Sequence, residues 1–134
     1  MSNASVERYK KLLSRLPPKV KAEALASLVK NADKITSGMK ATVPRDKGKL
    51  AESIRMEVDA TSIAVTIRAG GPLTTRPVRQ GADASYDYAL AQEFGTEDTP
   101  ANPFFWPTYR LFRKSMRSSV KRAMSKAFKE EAGQ

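Results

Sequence analysis

Five carboxylates are gathered between Arg79 and Arg110: Asp83, Asp87, Glu93, Glu97 and Asp98. Asp83, Asp87 and Glu93 raise the prospect of acid–base work or a hard-cation site, but their spacing matches no ligand motif. The chain contains no histidine and no cysteine. The first absence removes the commonest general base and metal ligand. The second removes thiol nucleophiles, disulfides and thiolate zinc sites, and fits a reducing compartment. "DKGKL" at 46–50 holds a Gly-Lys pair. It lacks the upstream glycine of a phosphate-binding loop, and Leu50 stands where Ser or Thr would ligate magnesium. No Ser-x-x-Lys stands beside a partner motif. The expectation is a protein without enzymatic activity, catalytic residues, cofactor or metal. For Glu93 the structural reading is favoured: just ahead of Phe94-Gly95, its carboxylate can accept backbone N–H bonds from the turn. Gly95 would supply a positive φ at the helix end.

The rest of the chain must position these groups. Its 134 residues, 40% hydrophobic and 28% charged, suit a single domain with its own core. No apolar run is long enough to span a membrane, and "MSNASVERYKK" lacks the apolar centre of a signal peptide. "SNA" resembles a cloning remnant. The formal net charge of +10 points to an acidic partner, either nucleic acid or protein. The charge is segregated. Every ionisable group between Arg79 and Arg110 is acidic, and every one from Arg110 to Lys129 is basic. Such a chain could pair copies of itself head to tail.

Tyr9, Leu12, Leu13 and Leu16 mark one face of a short, peripheral N-terminal helix over 1–16, with Ser5 as a possible cap. After Pro17-Pro18 a second helix runs to about residue 41, with Val20, Ala24, Leu28, Ile35 and Met39 as its apolar stripe and Gly38 weakening its end. "TVPRDKGKL" reads as a loop. Residues 53–58 and 62–71 alternate as the strands of an antiparallel hairpin. Residues 70–84 read as a long loop, with room for a short edge strand at 74–79, and 85–93 as a short helix. The last helix should start near Pro103 or Phe104 with Asn102 as its cap. Phe105, Tyr109, Phe112, Met116, Val120, Ala123 and Ala127 form its apolar seam, and Arg110, Lys114, Arg117 and Lys121 a basic ridge roughly opposite. The fold class is α+β: a small antiparallel sheet packed against long N-terminal and C-terminal helices in one domain. A lone two-stranded hairpin is marginal, so either the loop adds a strand or neighbouring subunits complete the sheet.

Two groups invite a functional reading. The ridge Arg110, Lys114, Arg117, Lys121 could contact DNA phosphates or an acidic protein, or be a solvated face; it lacks residues for reading bases. The aromatics Tyr86, Tyr88, Phe104, Phe105 and Trp106 could stack bases or sugars, anchor a protein interface, or wedge the last helix against the sheet.

"YALAQEFGT" at 88–96 followed by "PANPFFWPTY" at 100–109 resembles the signature of the gene-10-like tail-component, or neck, family of long-tailed phages of the Hong Kong 97 type. The matching residues are Tyr88, Ala89, Glu93, Phe94, Gly95, Thr96, Pro103 and Phe104. A second block, Gly-x-Leu-x-x-Ser-Ile, matches at Gly48, Leu50, Ser53 and Ile54, with Lys47 where the family usually has Thr. The likeness runs over roughly residues 20 to 115. It implies a phage or prophage structural protein at the head–tail junction, with a ring of six or twelve copies and no enzymatic activity. The implied partners are further copies of the chain and neighbouring head-completion and tail proteins. DNA would be met only as it passes through the channel, and no membrane is involved. The implied location is the virion, and the host cytoplasm during assembly. On this reading Tyr86, Tyr88, Glu93, Phe94, Gly95, Thr96, Phe104 and Trp106 belong to an oligomer or partner interface, with Phe104 and Trp106 as anchors. Loops 70–84 and 96–102 lie at contacts between subunits or rings. The alternative is a basic DNA-binding accessory protein using the C-terminal helix.

Overall fold

Helix α2, Pro18–Thr42, organises the molecule. It opens with proline in its first turn, where a missing N–H costs nothing. Its face Val20, Ala24, Ala32, Ile35 and Met39 is buried. The computed structural model describes residues 3–78, 80–81 and 83–133. Against α2 lies α5, Trp106–Ala132, running antiparallel. Lys19 at the start of α2 meets Glu130 at the end of α5 at 2.7 Å. At the other end, a Cβ on Gly38 would sit 3.0 Å from Phe112 Cε2 and 3.2 Å from Thr108 Cγ2. Gly38 therefore has a packing role beyond its low helix propensity: it lets the two helices close. Between these ends Asn31 Nδ2 donates to Ser27 O at 2.7 Å and to Ser119 Oγ at 3.1 Å, the second a part-buried polar contact joining α2 to α5.

The expected loop before the first strand contains a helix, α3, Gly48–Ser53. Its Lys, Leu, Ala and Glu are good helix formers. Leu50, Ser53 and Ile54 all point into the core, so the segment Gly48 to Ile54 is a packing unit and Ile54 is not part of the strand. Strands β1, Arg55–Asp59, and β2, Ala64–Arg68, form the expected antiparallel hairpin, pairing Met56 with Ile67 and Val58 with Val65. Its turn is held by Asp59 Oδ1, which accepts from the N–H groups of Thr61 and Ser62.

Stretch 70–84 is less of a loop than its composition suggests. A 3-10 turn at Pro72–Thr74 leads into β3, Thr75–Pro77, which pairs antiparallel with β4, Ser85–Asp87. Arg79 and Ala82 lie outside the described residues. The edge strand expected at 74–79 exists, but the helix expected over 85–93 does not begin until Tyr88: α4 is Tyr88–Phe94. The fold is α+β with two separate two-stranded sheets and long helices at either end of the chain. The core is built from Ile35, Met39, Val43, Leu50, Ile54, Ala89 and Phe104.

Helix α5 covers its seam incompletely. Only Thr108 and Ala127 are buried, while Phe105, Tyr109, Phe112, Met116, Val120 and Ala123 are half-buried. Helix α1, Asn3–Ser14, buries no residue outright. Among the described residues no helix is long and apolar enough to cross a membrane.

Candidate functional site

The start of α5 is the point where the two signature blocks meet. Three successive backbone N–H groups converge on one buried carboxylate: Phe104 and Phe105 donate to Glu93 Oε1 at 2.9 and 2.8 Å, and Trp106 donates to Oε2 at 3.0 Å. Glu93 therefore acts as the cap of α5 from the end of α4, and its charge lies where a helix N-terminus favours an anion. It accepts backbone N–H bonds as expected, but from the far side of the loop rather than from the Phe94-Gly95 turn. The expected start near Pro103 with an Asn102 cap is corrected for the same reason. The capping acceptor is Glu93, so the helix begins at Trp106, with Pro107 still in the first turn, and Asn102 instead gives its N–H to Gln92 O at 2.9 Å.

Gly95 turns the chain between the blocks. Its φ of 78° is left-handed, and an added Cβ would stand 2.8 Å from Ala101 N. Thr96 closes the loop, with its N–H on Thr99 O and its Oγ1 accepting from Thr99 N. A second carboxylate does similar work at the start of α4. Asp87 Oδ1 accepts from Ala89 N at 2.9 Å and from the Thr74 hydroxyl, and Oδ2 accepts from Gly71 N at 2.8 Å. Burial pushes the Asp87 pKa up, but the bonds from Thr74, Ala89 and Gly71 outweigh it and hold the carboxyl below its usual value. Gly70, at φ 93°, leaves room for this carboxylate: a Cβ there would collide with Asp87 Oδ2. The Gly70 N–H is in turn taken by Ser53 Oγ, and its carbonyl accepts from Arg55 Nη1.

The carboxylates considered for chemistry are thus separated by role. Asp87 and Glu93 are occupied by backbone donors, Asp83 is exposed, and among the described residues no cluster of three or more acids could hold a metal. Asp87, by residue type a candidate for acid–base work or a hard cation, is instead the cap of α4; the sequence places it inside a helix from residue 85, so its capping role emerges only with the true start at Tyr88.

The interface candidates fall into three sets, buried, half-buried and exposed, with Gly95 joining Tyr88 in the second. Phe104 is buried in the core and Glu93 beneath the loop, and both are among the residues lining the groove beside α4. Tyr88 is half-buried, its ring covered by the Arg76 guanidinium at 4.9 Å and the Lys47 ammonium at 5.6 Å. Tyr86, Phe94, Thr96 and Trp106 are at the surface. Phe94 is 65% exposed, and Leu90, which the sequence reading passed over, is 63% exposed one helical turn before it. With Trp106 they rim an open groove of about 360 Å³ that reaches Ile67 and Arg68 on β2. Trp106 packs edge-on against Phe105 and Tyr109. Arg110, Lys114, Arg117 and Lys121 are all exposed along α5.

What the site offers is fixed geometry beneath an exposed apolar surface. A family model described as "Bacteriophage HK97-gp10, putative tail-component" matches residues 7–95. The match takes in Gly48 to Ile54 and Tyr88 to Gly95 and stops short of Pro103-Phe104. No curated protein and no solved structure matches the chain.

Proposed function

Because the chain belongs to the HK97-gp10-like family of bacteriophage tail components, we propose that it is a structural protein of the head–tail junction of a phage or prophage. On this reading it acts in tail completion or head–tail joining by closing into a ring of six or twelve copies, without catalysis. The observation that carries it is the family match, which takes in the Asp87 cap with its donors and Glu93 itself, while the Phe104–Trp106 donors to Glu93 follow it. The surface agrees. Large apolar side chains stand exposed on a small protomer, among them Leu90, Phe94 and Trp106, and exposed apolar groups gathered in one place mark contact sites. Segregated acidic and basic surfaces suit a head-to-tail contact, which closes into a ring when the rotation allows. Neighbouring head-completion and tail proteins are the other partners this role requires.

The test is the mass of the assembly, measured by native mass spectrometry alone and with the adjoining tail or portal proteins, beside electron microscopy of the particles. Rings are expected. A protein that stays monomeric under every such condition would end this reading. Trp106→Ala should lower assembly while leaving the monomer folded, since Trp106 is at the surface.

The exposure of the Arg110, Lys114, Arg117, Lys121 ridge favours a second reading, a DNA-binding accessory protein. It predicts duplex binding that falls steeply with salt and is lost in Arg117→Glu/Lys121→Glu.

A further inference from the structure

Two surface features lie apart along α5, one at its start and one along its second half. At its start, α4 presents Leu90 and Phe94 one turn apart, 63% and 65% exposed, followed at once by the exposed Glu97 and Asp98. Toward its end a groove opens between α1, α2 and α5. Tyr9, Met116, Met124 and Phe128 line it, and Arg117 and Lys121 stand on its rim. Tyr9 and Phe128 are 61% and 43% exposed, so the groove is apolar, open and basic at its edge. The first feature is apolar, with the acidic pair on the loop that follows it, while Arg68 across its own groove is paired with Glu57.

We propose that the Leu90–Phe94 projection of one copy seats in the Tyr9–Phe128 groove of the next, with Glu97 and Asp98 against Arg117 and Lys121. The proposal rests on the ring reading and names its contact. The contact must be between copies. At about 1.5 Å of rise per residue, the groove begins at Met116, about 15 Å beyond Trp106, and ends at Phe128, about 33 Å beyond it, along one rigid helix that holds projection and groove apart within a copy. Pairing groove with groove would bring the basic rims together, and pairing projection with projection would do the same for the acidic flanks. Only the head-to-tail arrangement sets opposite charge on opposite charge and apolar on apolar. Methionines in the groove suit such a seat, since an unbranched thioether adapts to an incoming aromatic ring.

A chain without cysteine allows a direct test. Phe94→Cys and Phe128→Cys replace two exposed side chains, so the fold should survive, as circular dichroism would verify. Under mild oxidation the doubly substituted protein should give a ladder of disulfide-linked oligomers, whereas an equimolar mixture of the two single variants should stop at dimers. In parallel, Arg117→Glu/Lys121→Glu and Glu97→Lys/Asp98→Lys should each reduce assembly at least tenfold, and the four changes combined should restore it. Oligomers that form without the ladder, with both reversals assembling normally, would overturn this contact and leave the ring reading standing. A protein that never oligomerises, alone or with its tail partners, would overturn both.

Discussion

Glu93 and Phe104, 11 residues apart in the chain, are joined by a buried hydrogen bond of 2.9 Å from the Phe104 N–H to Glu93 Oε1. This bond, with those from Phe105 and Trp106, ties the end of α4 to the start of α5 and sets the 27-residue helix on the core. Phe104 is then buried in the core cluster that includes Ile35 and Met39 of α2, and Trp106, two residues on, emerges at the surface. The spacing of core anchor and exposed aromatic depends on one carboxylate.

Removing that carboxylate should cost more than an ordinary cap. Glu93→Ala leaves three backbone donors without their acceptor, and bonds to a charged acceptor contribute about 1.5–3 kcal/mol each. Water reaching the emptied site would replace part of this. A loss of about 3 kcal/mol in urea unfolding, with an unchanged m value, is expected, and Glu93→Gln should lose less. A Glu93→Ala protein within about 0.5 kcal/mol of the parent, the range of ordinary surface substitutions, would mean the cap contributes little.

The glycines divide by conformation. Gly95 has a left-handed φ of 78°, and its Cβ would meet Ala101 N at 2.8 Å, so Gly95→Ala should destabilise by about 2 kcal/mol or more. Gly48 opens α3 with nothing within 4 Å of its Cβ position, so Gly48→Ala should stabilise by about 0.4–1 kcal/mol. Thermal melts of the two variants should move in opposite directions.

Asp87 should leave a mark on acid stability. Burial raises its pKa, but the donors Thr74, Ala89 and Gly71 more than offset this and hold the folded carboxyl below its ordinary value. A carboxyl whose pKa falls on folding contributes its full stability above the unfolded value. It loses that contribution as pH drops through the folded one. The contribution should therefore be complete above about pH 5 and be lost progressively as the pH falls from the ordinary carboxylate range through the depressed folded value. Asp87→Asn should lose about 1–2 kcal/mol at neutral pH and converge on the parent in acid. Parallel stability curves for the two proteins from neutral pH into acid would refute the assignment.

Asn31 and Ser119 should be energetically coupled across the two long helices. The Asn31 amide reaches Ser119 Oγ at 3.1 Å, and the Ser27 and Ser119 hydroxyls lie 3.2 Å apart. In a double-mutant cycle with Asn31→Ala and Ser119→Ala, a coupling of about 0.5–1.5 kcal/mol is expected. Additive losses would place the contact among those that water replaces without cost.

What the sequence determined by itself was whatever local chemistry dictates. The stripe from Val20 to Met39 specified α2, and the alternation of Met56, Val58, Val65 and Ile67 specified the hairpin, because such periods are written in neighbouring residues. The seam of α5 and its exposed basic ridge were legible for the same reason, as was Glu93 as an acceptor of backbone bonds. The tertiary structure decided the rest. It chose the donors that Glu93 serves, and with them the first residue of α5. It turned Ser85–Asp87 into a strand by pairing it with Thr75–Pro77, and made Gly48–Ser53 a helix by burying Leu50 and Ser53. It gave Gly38 its place under Phe112 and drew Phe104 inward while leaving Phe94 and Leu90 outside. Each of these depends on a contact between residues far apart in the chain, and a local pattern carries no information about what it will meet.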